Sequence, residues 1–92
     1  ADTAVPLAHA RVAAGFLATV DAPMVEGRDL REGAAAEVVL NREAARQLFA
    51  GQPALGQSIT LRAGPPFTVV CVVADFSIGD LRLAGLPVAF TS

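Results

Sequence analysis

Apolar residues along this chain fall into short stretches whose period changes from one to the next. Residues 1–7 are rich in small side chains, contain Pro6 and read as a lead-in. From Ala8 a short strand is expected, closing at Val12. Ala14, Phe16, Leu17 and Val20 then recur at near-helical spacing, enough for about two turns of helix. Pro23 ends that helix, because a proline holds the residue before it in an extended conformation. Residues 24–30 read as an extended piece bent at Gly27, and residues 31–35 as a surface loop containing Gly33.

The next stretch is more sharply patterned. Residues 37–40 are rich in β-branched side chains and predict a strand. Asn41 follows as an N-cap, with an oxygen that can accept from the first free amides of a helix. Glu43 sits in the first turn, where a negative charge suits the helix dipole. Ala44, Ala45, Leu48 and Phe49 share one face, with Arg42, Arg46 and Gln47 largely outside it. Gly51 is the expected C′ residue and Pro53 bars continuation.

Residues 58–62 alternate strictly, with Ile59 and Leu61 toward a core and Ser58, Thr60 and Arg62 toward water. After a turn over residues 63–66, residues 67–73 are apolar on both faces. They predict a central strand, hairpin-paired with 58–62. Residues 75–85 read as a loop or further turn. Residues 86–90 read as a last strand that Pro87 would keep near a sheet edge. The sum is an α+β fold: two short helices on one side of a small mixed or mostly antiparallel sheet of four to five strands.

Composition narrows the function classes. The chain has 92 residues and reads as one domain or subdomain. Its 53% apolar content excludes a disordered polar chain. Its net charge is −2 and its seven basic residues, all Arg, are scattered, which argues against a nucleic-acid partner. The longest purely apolar run, residues 69–74, is far short of the roughly 18 residues a membrane helix needs, so this segment itself does not span a membrane. The single Cys excludes an internal disulfide. With one His besides, soft ligands are too few for a zinc or iron–sulfur site.

Candidate chemistry is sparse. Neither Gly-rich phosphate motif occurs and the chain has no Lys, so nucleotide binding by those motifs is excluded. Cys71 lies mid-strand, where burial raises the thiol pKa, and is read as an inert core residue. His9 is the one candidate general base near neutral pH and is read as a surface or edge histidine. Asp75 and Asp80 share a loop and would need a raised pKa for acid–base work; two solvated turn carboxylates are the better reading. In Gly27-Arg28-Asp29 the Arg and Asp are expected to pair locally or bond backbone, with the Arg28 fork anchoring a loop. No catalytic, cofactor-binding or metal residues are assigned, no cofactor is expected, and ligand-binding residues are left open.

Five motifs in series nevertheless resemble one family. Residues 12–19 (VAAGFLAT) resemble the "V-S-x-x-Y/F-F-x-T-L-G" pattern of MacB/FtsX-type ABC transporter permeases. Residues 27–30 (GRDL) resemble "G-R-x-F/L", and 38–49 (VVLNREAARQLF) resemble "V-A-V-V-N-E-A-x-A-R-x-x-F". Residues 53–59 (PALGQSI) and 67–75 (FTVVCVVAD) are similar to "N/D-P-x-G-x-x-I" and "F-T-V-V-G-V-V-x-D". Cys71 and Asp21 stand where that family has Gly, which marks a divergent branch.

The resemblance implies a MacB-like periplasmic core domain, cut from the extracytoplasmic part of a larger membrane permease. It implies a non-enzymatic role, coupling ATP-driven motion to substrate or partner-protein contacts at the periplasmic face of the bacterial inner membrane. The implied partners are the remainder of the permease, an ABC ATPase domain or subunit on the cytoplasmic side, and a periplasmic protein. The alternative is a free-standing secreted or periplasmic binding module with no transport role. A small hydrolase using Asp75, Asp80 or His9 ranks third.

Overall fold

The structure is a computed structural model describing residues 8–13, 15–19, 23–31, 36–61, 65–74, 77–78, 81–82 and 86–91. The chain runs β1 (Ala8–Arg11), α1 (Phe16–Thr19), β2 (Met24–Gly27), β3 (Glu37–Asn41), α2 (Arg42–Phe49), β4 (Ser58–Thr60), β5 (Pro66–Val73), β6 (Ser77–Ile78), β7 (Leu81–Arg82) and β8 (Val88–Thr91). The main sheet has the order β1-β8-β3-β5-β2, with β4 also on β5. The pairs β1–β8 and β3–β5 are parallel and the other three are antiparallel, so the sheet is mixed. Six strands stand in it because the extended pieces at 8–11 and 24–27 both pair. Within the region expected as a loop, β6 and β7 form a small antiparallel ribbon.

The fold class is α+β as expected, but the two helices do not share a side. Val38 and Leu40 of β3 pack with Ala44, Ala45, Leu48 and Phe49 of α2. Val39, between them, packs with Phe16 and Leu17 of α1. Successive side chains of a strand point to opposite faces, so α1 and α2 cover opposite faces of the sheet. The physical reason lies in β3 and β5, whose central residues, 38–40 and 69–73, are apolar on both faces; each face then needs its own cover. The second correction concerns β8. It is an interior strand between β1 and β3, with all four residues buried, and not an edge. Pro87 lies one residue outside it, so its missing N–H costs no ladder bond, and its carbonyl accepts from the Ala8 amide at 3.0 Å.

β5 carries a bulge that ordinary alternation would not have. Its register with β3 steps from Val38–Val69 to Val39–Cys71, leaving Val70 extra. Val69 and Val72 face α2, whereas Val70, Cys71 and Val73 face α1. The carbonyls of both Val69 and Val70 consequently point to the outer edge, where they accept from the Gly56 and Arg28 amides, each at 2.9 Å. Two short segments therefore dock end to end along one edge of β5: β2 against its last residues and β4 against its first.

α2 is built as its residues dictate. The Asn41 side chain accepts from the Ala44 amide at 3.0 Å, and Glu43 stands in the first turn. The left-handed turn at its end starts one residue earlier than Gly51: Ala50 has φ 49° and its amide bonds Arg46. α1 is a single turn. Ala14 and Val20, which mark the ends of the longer helix expected there, lie outside the described residues, as do the lead-in at 1–7, Arg62 of the expected strand and residues 63–64 of the expected turn.

Candidate functional site

The residues singled out for chemistry are not brought together. Cys71 is fully buried beneath α1, and burial first, then the charges of Asp29 and Glu26, push its thiol up to about 11. A thiol so placed is neither ionised nor accessible at neutral pH, matching the inert reading. His9 stands on the edge strand β1, exposed, with its ring Nε2 2.7 Å from the hydroxyl of buried Thr91. Asp21, Asp75 and Asp80 lie outside the described residues. Among the described residues no group of three or more His, Cys, Asp or Glu could hold a metal ion.

The Gly27-Arg28-Asp29 turn does more than expected. Gly27 has φ 92°, and a Cβ there would sit 2.1 Å from the Val70 carbonyl oxygen. Only glycine meets both conditions, so Gly27 is where β2 presses on the bulge. Arg28 then turns its fork onto both carboxylate oxygens of Glu37, the first residue of β3, and onto the Asp29 carbonyl at 3.1 Å. Arg31 closes the cluster, its guanidinium 3.0 Å from the same carboxylate. The Arg28 hydrogen bond is the largest cause holding the Glu37 carboxyl down to about 2. Asp29 meanwhile accepts from the amides of Leu30 (2.7 Å) and Ala18 in α1 (3.2 Å). Sequence reading anchored Arg28 but missed Glu37 as its partner. The signal was available: an acid opening a strand of otherwise buried residues must meet a cation.

Asn41 does more than cap α2. It also accepts from the Val88 amide at 3.0 Å and donates to the Leu86 carbonyl at 2.5 Å, tying the start of α2 to the chain leading into β8.

One open groove of about 180 Å³ lies between β2, α2 and residues 51–54. Ala45, Ala54 and Val72 contribute apolar lining, and Glu26, Arg42 and Arg46 contribute charge. Its volume is below the roughly 300–1,000 Å³ of small-molecule pockets.

Residues 3–91 match the MacB-like periplasmic core domain family. The chain belongs to that family, the extracytoplasmic domains of ABC transporter permeases. Among solved structures, the periplasmic region of MacB from Actinobacillus actinomycetemcomitans is similar with a TM-score of 0.62 and 23% identity, over 84% of this chain and 33% of that one. That likeness is one of fold, and this chain spans one third of the length of the region it matches. No curated protein matches it. The family is not a known catalytic one. No helix among the described residues is long and apolar enough to cross a membrane.

Proposed function

We propose that this chain is one piece of the extracytoplasmic domain of an ABC permease, and that it is a non-catalytic coupler. It relays ATP-driven motion from an ABC ATPase domain or subunit on the cytoplasmic side to substrate or partner-protein contacts in the periplasm. The observation that carries the reading is the family match over nearly the whole chain, residues 3–91. The layout agrees with it. A sheet covered by a helix on each face behaves as a stiff body, and stiffness is what a relay of motion needs.

The parent gene tests the setting. One apolar stretch of about 20 residues upstream and three downstream are expected. A gene with no such stretches overturns the permease reading and leaves a free-standing binding module. The coupling is tested in the assembled transporter: deleting residues 1–92 should abolish transport while basal ATP hydrolysis by the cytoplasmic partner persists. Transport that survives the deletion rejects the relay.

A further inference from the structure

The two edges of the sheet are defended differently. The β1 edge carries Ala8, His9, Ala10 and Arg11, with no large apolar side chain. The edge formed by β2 and the segment leading into β4 carries Met24, Val25 and Leu55, which are 51%, 48% and 39% exposed. The register along β5 puts all three along one edge of the sheet. Met24 lies opposite Val73, and Leu55 precedes Gly56, whose amide bonds Val69. Four residues of strand separate the two levels, about 13 Å. The groove lies beside this edge: none of the three lines it, but their chain neighbours Glu26 and Ala54 do. An open edge with exposed apolar side chains invites pairing with another chain, and soluble domains normally blunt it.

We propose that this edge is the seat of another segment of the same polypeptide's extracytoplasmic region, which covers Met24, Val25 and Leu55 and places an apolar side chain in the groove. The inference rests on the proposed function above. Length favours this occupant: the solved periplasmic region of similar fold is about three times as long as the part this chain matches, so most of such a region must pack elsewhere around it. The rim is charged: Glu26 and Arg42 line the groove, both exposed and without an ion pair among the described residues.

The test uses the intact parent permease with single reporters V25C and L55C, and R11C on the opposite edge as control. Cys71 is silent as background in the folded protein, being buried with a raised pKa, and in denaturant its labelling is subtracted using the unsubstituted permease. Maleimide should label V25C and L55C about tenfold or more slowly than R11C, and all three equally in denaturant. A photo-crosslinker placed at position 25 or 55, in permease mixed from light and heavy isotope-labelled subunits, identifies the neighbour. Cross-links to residues of the same chain outside 1–92 support the proposal, and cross-links only within 1–92 overturn it. Labelling as fast as R11C overturns it, as do mixed light–heavy cross-links, which would seat a second copy there, or cross-links to a different protein. A parent gene without a larger extracytoplasmic region fails the permease reading itself, a separate result from an exposed edge on an intact permease.

Discussion

The two helices are held in place by opposite means. α2 has eight residues, a cap one residue before it, an acid in its first turn and an apolar face of its own. Its surface ion pair, Glu43 with Arg46, is also internal. α1 has four residues, no acid in its first turn and no base in its last. It stays in place because Leu17 is buried against the sheet, Phe16 packs on Phe90 with ring centroids 5.6 Å apart, and Asp29, eleven residues on, accepts from the Ala18 amide. An isolated turn of helix is unstable because nucleation fixes several dihedrals for one hydrogen bond. The contrast teaches that one face of this sheet is specified locally and the other by the segment 27–31. In that segment Gly27 fits the bulge, Arg28 and Arg31 grip Glu37, Asp29 holds α1 and Leu30 is buried.

The largest effect should come from breaking that segment at its start. Gly27→Ala puts a methyl 2.1 Å from the Val70 oxygen and forces a side chain onto φ 92°. A cost of about 3 kcal/mol or more is expected, because both the left-handed conformation and the clash oppose it. Backbone hydrogen exchange should then rise in α1 and residues 28–31 well before α2. Equal loss of protection in both helices would show that α1 does not depend on this segment.

Asn41→Ala is the corresponding test on the α2 side. It removes the cap bond to Ala44 and leaves the Val88 amide and the Leu86 carbonyl without their side-chain partner. A loss of about 2–3 kcal/mol in urea unfolding is expected, the cap accounting for roughly 1 and the orphaned backbone groups for the rest. A loss below about 1 kcal/mol would mean that Asn41 acts as a cap alone.

The same contrast explains how much of the molecule its sequence discloses. α2, its cap and the inward positions of Ile59 and Leu61 follow from spacing alone, because the determining residues are neighbours in the chain. Family likeness was legible too, through the five motifs in series. The bulge at Val70 was not. A run of apolar residues buried on both faces has no polar beat to mark its phase, so a slip of one residue leaves no trace in the pattern. Pro87 misled for a related reason: whether a proline sits inside a strand or just before it decides between edge and interior, and element boundaries are the least certain part of a pattern. The groove and the exposed edge depend on which segments meet along β5, a tertiary fact.

The ion cluster offers a finer test because it responds to pH. The Glu37 carboxyl is held at about 2 in the fold, against an ordinary value of 4.5. Since the folded value is the lower one, the cluster stabilises fully above about pH 4.5 and its contribution fades as pH falls toward 2. Glu37→Gln should cost about 1 kcal/mol at neutral pH, since Arg28 and Arg31 are largely solvated and their attraction is screened. The gap between the parent protein and the variant should close between pH 4.5 and 2. A gap that stays constant over that window would assign the effect to packing rather than charge.

The smallest effect is expected at the bond that ties the segment to α1. Asp29→Asn keeps the shape of the side chain and one carbonyl oxygen, but replaces the other acceptor with an amide donor. Only one of the Leu30 and Ala18 amides can then be satisfied, and Leu30 is the nearer at 2.7 Å against 3.2 Å. The Ala18 amide is solvent-exposed at this bond and regains water, so the loss is limited to about 0.5 kcal/mol. The informative readout is therefore local: amide exchange at Ala18 and Thr19 should quicken while α2 and the sheet keep their rates. Unchanged exchange in α1 would assign its position to Phe16 and Leu17 alone, and shrink the remote support of α1 from a hydrogen bond plus packing to packing only.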